Sequence, residues 1–235
     1  MIIELLYTRD CPHFRKARRL IHDTIKSLGL DIPLKKTEVR NEEEAQQLVF
    51  PGSPTIRIDG EDIEPDTAYP GGNSCRTYFN GTHLPDKDVV KCAIAHAAGL
   101  KTILFVCTGN AVRSQIAEAV VNHFLGDAWV AFSAGIIPME VNPSVVKVMQ
   151  EIGIDISQQK SKHVDVFRNC HFDRVISLCH DADAICLTFP TTQERDRIIF
   201  HDPASTYGLA FGSLHLYRNL RDEIRKILLK RLGDR

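Results

Sequence analysis

Twice along this chain a short apolar run gives way to a cysteine-bearing loop and then to a helix. That repetition limits the fold to two successive α/β units. In the first pass, residues 2–7 alternate as a strand, and Cys11 opens a helix over 11–28 that Gly29 stops. A second strand spans 32–39. An acidic helix follows from Asn41, with Glu42, Glu43 and Glu44 in the first turn, where the helix dipole favours them. Residues 50–60 read as a turn and a strand closing on an Asp-Gly hairpin signal, and 65–85, rich in Pro, Gly, Asn and Thr, read as irregular. A helix over 86–96, capped by Gly99, completes a β-α-β-α-β-(β)-α unit over residues 1–97.

A new alternation starts at Lys101. Strands are expected at 102–106, 129–133, 174–179 and 197–201, and helices at 114–125, 143–152 and 213–232. Strands alternating with helices imply a parallel four-stranded sheet covered on both faces, within a domain spanning 101–235. Ligands of such sheets bind beyond the carboxyl ends of the strands. Cys107, Cys179 and Asp202 all fall at such ends.

Residues 107–114 carry the most specific chemistry. An apolar strand, Ile103-Leu-Phe-Val106, breaks into Cys107, then Thr108, Gly109, Asn110, Ala111, Val112, Arg113 and Ser114. Small residues let the loop curl so that successive backbone N–H groups point inward, and a helix starting near Ser114 adds its positive end. Gly109 permits the tight curl, and Arg113 forks two hydrogen bonds onto a bound anion. Such a field favours thiolate over thiol, which makes Cys107 a nucleophile facing a tetrahedral oxyanion. The plainer reading, a buried cysteine before an arginine, leaves the strand–loop–helix context unexplained.

Asp202 follows Arg197-Ile-Ile-Phe200 and precedes Pro203, so it faces the same crevice and suits a general acid; a turn aspartate before proline is its plain alternative. Cys179 ends a strand and Cys186 follows a polar segment. The gap between them fits a zinc site with His180 poorly, and a thiol relay from Cys107 through Cys179 to Cys186 fits better. The 235 residues hold seven cysteines, an odd set that points to redox, metal or nucleophilic use in a reducing, cytoplasmic setting rather than to a disulfide framework. A formal net charge of -1 offers no basic face for nucleic acid, and no apolar run reaches membrane-spanning length. The amino-terminal stretch has an early acid and no small-residue cleavage site, which is not a signal-peptide pattern.

Residues 101–235 resemble the thioredoxin-coupled arsenate reductases, built on the low-molecular-weight protein tyrosine phosphatase fold. The resemblance rests on Cys107-Thr-Gly-Asn-Ala-Val-Arg-Ser-Gln115, Phe132-Ser-Ala-Gly135, Val141-Asn-Pro143, Gly153-Ile-Asp-Ile-Ser157, Leu178-Cys-His-Asp-Ala-Asp-Ala-Ile-Cys186, His201-Asp-Pro-Ala204 and Arg221-Asp-Glu-Ile224. It implies that arsenate binds in the loop, that Cys107 forms a thiol–arsenic adduct with Asp202 as acid, and that Cys179 then attacks Cys107 and arsenite leaves. A Cys179–Cys186 disulfide results, for reduction by a thioredoxin-type partner. It also implies that Ser114 hydrogen-bonds Cys107, that Asn110 braces the loop, and that neither a metal nor an organic cofactor is needed. Some relatives bind potassium. Asn110, Glu118 and Ser133 match that site, but Lys162 stands in place of its aspartate, so no stimulation by potassium is expected. Within the same fold the alternative is a tyrosine phosphatase, which usually has an aromatic residue where Ala204 stands here. From another class, the thiols would only sequester arsenite or mercuric ion.

The first unit resembles the thioredoxin fold through Cys11-Pro-His13-Phe14 opening a helix and Ser53-Pro54-Thr55 before a strand. The resemblance implies a cis-proline at Pro54 beside an active cysteine, Cys11. Phe14 stands where the second thiol of C-x-x-C belongs, so a conventional dithiol is absent, and Cys75 is the candidate partner. The expected roles are donor of electrons to Cys179–Cys186, docking site for a separate thioredoxin, or capture of arsenite or mercuric ion on Cys11 and Cys75. Cys92 and Cys170 read as packing residues.

Overall fold

The computed structural model describes residues 1–65, 72, 74–184, 189, 192–203 and 214–233. The chain divides into two units, Met1–Gly99 and Leu100–Arg235. In the first, β1 (Ile3–Tyr7), α1 (Phe14–Ser27), β2 (Leu34–Glu38), α2 (Glu42–Gln47), β3 (Thr55–Ile58), β4 (Glu61–Asp62) and α3 (Lys87–Ala97) follow in order. The sheet runs β2-β1-β3-β4, with β1 parallel to β2 and antiparallel to β3. Strand alternation divides the core. Ile3 and Leu5 pack with Ala17, Ile21 and Ile25 of α1 and with Val90 and Ile94 of α3, while Leu6 packs with Ala45 of α2 and Phe50. The Asn41 side chain caps α2 by accepting from the Glu44 N–H at 2.9 Å.

Two boundaries differ from the sequence expectation. The first helix starts at Phe14 rather than at Cys11. Pro12 disfavours helical backbone at the residue before it, and the Cys11 N–H instead closes a turn on the Thr8 carbonyl at 3.1 Å. The second strand starts only after Pro33, which has no N–H to give the ladder.

The second unit contains β5 (Thr102–Cys107), α4 (Arg113–Phe124), β6 (Val130–Gly135), α5 (Pro143–Gln150), a 3₁₀ turn (Val164–Phe167), β7 (Phe172–Ser177), a second 3₁₀ turn (His180–Ala182), β8 (Thr192–Arg197) and α6 (Leu214–Gly233). The sheet is parallel throughout, in the order β6-β5-β7-β8. All six residues of β5 are buried, as expected of a central parallel strand covered on both faces, and α6 packs against α4 and α5.

The last two strands are displaced from their expected places. The third strand of this sheet ends at Ser177, so Cys179 lies two residues past it and opens the second 3₁₀ turn. The fourth is the polar Thr192–Arg197, not 197–201. An edge strand tolerates polar side chains, and the apolar residues that suggested a strand, Ile198 and Phe200, are buried beyond its end. Their N–H groups donate to the Ser177 and Leu178 carbonyls at 2.9 and 3.2 Å, so the chain still follows β7 out to Asp202. Of the expected helix at 213–232, Ser213 lies outside the described residues.

Phe132, Phe167 and Phe172 meet edge to face with centroids 5.5–5.7 Å apart, all at most 2 % exposed. They pin β6 and β7 around the buried β5. Phe132→Ala is expected to lower unfolding free energy by about 3–5 kcal/mol, read as a shift of the urea midpoint at unchanged slope.

Candidate active site

Cys107 is the last residue of β5, and the loop after it is held from outside by its carbonyls. The Cys107, Thr108, Gly109 and Ala111 carbonyls accept from the Ile136, Ile137, Met139 and Asn142 N–H groups at 3.3, 2.9, 2.8 and 3.0 Å. The Asn110 carbonyl accepts from Gln115 Nε2 at 2.9 Å and Ser161 Oγ at 2.6 Å. In a trans peptide the C=O and the following N–H point in opposite directions. With five successive carbonyls turned outward, the N–H groups of residues 108–112 turn inward, into the space before α4. The Asn110 N–H shows this directly, donating to Cys107 Sγ at 3.2 Å.

Asn110 is the brace. Its φ of 48° is in the left-handed region, which asparagine enters more readily than other side-chain-bearing residues. Its Oδ1 accepts from the Lys162 N–H at 2.8 Å, and its Nδ2 donates to Ser114 Oγ and Ser133 Oγ, both at 2.9 Å. Ser114 Oγ lies 3.0 Å from Cys107 Sγ. Since that oxygen already accepts from Asn110, its own proton is available to the sulfur. Gly135 completes the fit, because a Cβ there would stand 2.8–2.9 Å from Asn110 and the Thr108 carbonyl.

Arg113, 8 % exposed, opens α4. Its Nη2 donates to Asp202 Oδ2 at 2.8 Å and its Nη1 reaches the Phe200 carbonyl at 3.4 Å. Its Nε is buried without a hydrogen-bond partner. A buried unpaired donor is costly, and beside inward-facing amides it is what an oxyanion would satisfy.

The second thiol sits against the loop. Cys179 is 5 % exposed, with Sγ 3.3 Å from Thr108 Oγ1, and the Thr108 hydroxyl also lies 3.2 Å from Asp181 Oδ2. The Leu178 N–H donates to the Val106 carbonyl at 2.8 Å, so the segment carrying Cys179 runs beside the end of β5. Arg197 holds the following turn, through His180 Nδ1 at 3.0 Å and Asp183 at 2.8 Å. The structure thus brings together Cys107, Thr108, Asn110, Arg113, Ser114, Cys179 and Asp202. Cys186 and Ala204 lie outside the described residues.

In the first unit, Cys11 is half-buried, Cys75 is exposed and pairs by its backbone with Ser53, and the Ser53–Pro54 peptide is cis. Cys92 and Cys170 are buried. Among the described residues no group of three or more His, Cys, Asp or Glu side chains is arranged to hold a metal, and no helix is long and apolar enough to cross a membrane.

Lys162 Nζ lies 3.2 Å from the Ser133 carbonyl and 4.0 Å from Glu118, whose carboxylate accepts from Ser133 Oγ. The ammonium occupies the place between these oxygens, so the residues present do not fit potassium. The bonds that Ser161 and the 136–142 connection make to the loop have no signal in the sequence, because they arise only through tertiary contacts.

The family model for low molecular weight phosphotyrosine protein phosphatases matches residues 102–204. An arsenate reductase of Halalkalibacterium halodurans is 44% identical over 126 residues, covering 54% of this chain and 91% of that protein. One from Bacillus subtilis is 42% identical over 124 residues, covering 53% and 89%. A solved arsenate reductase in the phosphate binding state superposes with a TM-score of 0.50 at 27% identity, covering 57% of this chain and 98% of that one. An arsenate reductase in the oxidized state gives the same TM-score and identity.

Exchanging sodium for potassium is expected to leave Tm unchanged. In Lys162→Ala, with the ammonium gone from between Ser133 and Glu118, potassium is expected to raise Tm in a calorimetric scan.

Proposed function

We propose, on the premise that this chain belongs to the low molecular weight phosphotyrosine phosphatase family and to the arsenate reductases within it, that its second unit reduces arsenate to arsenite by a thiol relay. The supporting observation is Thr108, the residue after Cys107, whose hydroxyl lies 3.3 Å from Cys179 Sγ, a second sulfur against the same loop. A simple phosphoryl hydrolase has no use for that sulfur.

In this reading arsenate enters the ring of inward N–H groups and takes Arg113 Nε as a further donor. Cys107 Sγ attacks arsenic, one oxygen leaves as water with a proton from Asp202, and an S–As bond remains. The incoming anion takes over the guanidinium, which frees Asp202 to serve the leaving oxygen. Cys179 then attacks Cys107 Sγ. The S–As electron pair returns to arsenic, reducing As(V) to As(III), while the two sulfurs form a disulfide. Cys186 attacks Cys179, which releases Cys107 as thiolate and leaves a Cys179–Cys186 disulfide. Two electrons from thioredoxin, or from the fused first unit acting as a thioredoxin-like domain, complete the cycle. Such a cycle belongs to a reducing, cytoplasmic setting and involves neither nucleic acid nor membrane. Phosphate shares the geometry and charge of arsenate, so slow hydrolysis of an aryl phosphate is expected as a side activity.

Arsenite release under excess reductant tests the reading, because a sequestering protein gives at most one equivalent. Cys107→Ser is expected to abolish release. Cys186→Ser is expected to give a single turnover and then stop with Cys107 and Cys179 joined, visible by mass spectrometry. Asp202→Asn is expected to slow the first step by about 10²–10⁴-fold. If Cys11→Ser leaves multiple turnover unchanged with every external reductant, the first unit is not the electron donor.

A further inference from the structure

We propose that Cys11 and Cys75 form a second dithiol–disulfide couple, brought to one end of the first sheet by a bonded strap instead of by neighbouring sequence positions. The inference stands independently of arsenate chemistry. β1 and β3 are antiparallel and in register to Leu6 and Thr55. The turn after β1 and the residues before β3 therefore share one end of the sheet. There the Thr8 N–H donates to Ser53 Oγ at 3.0 Å, and the Cys11 N–H donates to the Thr8 carbonyl at 3.1 Å. On the far side of Ser53 lies the strap, residues 74–78. Ser53 N–H donates to the Ser74 carbonyl at 2.8 Å and its carbonyl accepts from the Arg76 N–H at 3.0 Å, which sets Cys75 directly opposite Ser53.

The strap is built to stay there. Arg76 is 3 % exposed, and its guanidinium forks onto Asp62 at 2.6 and 3.0 Å, reaches Thr55 Oγ1 at 3.1 Å and lies 4.3 Å over the Tyr78 ring. The Tyr78 hydroxyl donates to the Pro54 carbonyl at 2.9 Å, and burial pushes that phenol above its ordinary pKa, which keeps it a donor. Gly52, at φ 131°, leaves room for the close approach, since a Cβ there would meet the Ser74 carbonyl at 3.0 Å and Arg76 backbone atoms at 3.1 Å. With Arg76 and Tyr78 turned into the protein, Cys75 and Thr77 face outward and are exposed, as the alternation of an extended segment requires.

Two histidines join the thiol-bearing segments. His13, two residues after Cys11, packs its ring 4.8 Å from that of His83. His83 Nδ1 lies 2.8 Å from the Arg76 carbonyl, next to Cys75. A carbonyl only accepts, so Nδ1 carries the proton and Nε2 is the basic nitrogen of the neutral ring. Cys11, His13, Cys75 and His83 are thus carried on segments that meet at this end of the sheet, joined by the His13–His83 ring contact.

The reaction needs a disulfide as oxidant. Cys11 thiolate attacks one sulfur of an incoming disulfide, whose S–S bond breaks, and one thiolate leaves. Cys75 then attacks the Cys11 sulfur of the mixed disulfide. The second thiolate departs with the Cys75 proton, and a Cys11–Cys75 disulfide remains. Two electrons have passed to the incoming disulfide.

The test uses the full chain with oxidised glutathione as the disulfide, followed by alkylation and peptide mass spectrometry. The expected product joins the Cys11 and Cys75 peptides with no lasting glutathione on Cys11, whereas Cys75→Ser keeps the glutathione adduct. Gly52→Val, which forces the strap from Ser53, is expected to lose the cross-link while circular dichroism reports a retained fold. A glutathione adduct on Cys11 that persists equally in the wild type, or pairing of Cys75 with another cysteine, overturns the proposal. Arsenate turnover driven by dithiothreitol reads Cys107 separately, so failure of either reading is distinguishable from failure of the other.

Discussion

The site at Cys107 depends on where five carbonyl groups point. Residues 107–111 give their oxygens to donors from the 136–142 connection, Gln115 and Ser161, and planar peptides then leave the amides facing the interior. No side chain in the loop has to be charged for this to work. The field is made by backbone dipoles whose directions are set by neighbours on the far side. Such a site is preorganised before any anion arrives, which is what makes amide donors effective against developing negative charge.

That constraint explains several otherwise unrelated residues. Asn110 accepts left-handed backbone and repays it with bonds to three segments. Gly135 has no Cβ because the loop fills that space. Lys162 contributes its N–H to Asn110 and its ammonium to the oxygens of Ser133 and Glu118, so one residue both braces the loop and supplies a fixed cation. The two units solve the positioning of sulfur differently. In the second, a thiol is surrounded by donors at the end of a buried strand. In the first, an exposed thiol is carried on a strap whose neighbouring side chains are buried as an ion pair and a phenol.

Much of the active loop was legible in the chain because its determinants are local. An apolar run ending in Cys107, small residues, then Arg113 and Ser114 lie within one strand–loop–helix, and their spacing alone implies an inward ring of amides. The strand ends were less legible. Ile198 and Phe200 alternate like a strand but sit beyond one, since burial, not pairing, is what an apolar pattern reports. Cys11 was read into a helix that Pro12 keeps it out of.

The chain by itself determined two α/β units, a buried parallel strand leading to Cys107, and the kinds of groups around it, because periodicity and local chemistry act over a few residues. Only the tertiary structure decided which carbonyls of the loop are occupied, that the Thr108 hydroxyl meets Cys179, that the Lys162 ammonium lies by the oxygens of Ser133 and Glu118 and that Cys75 lies opposite Ser53. Apart from the Gln115 donor to the loop, each of those joins residues from 22 to 71 positions apart, and such pairings are set by how packed elements meet, which no local pattern encodes.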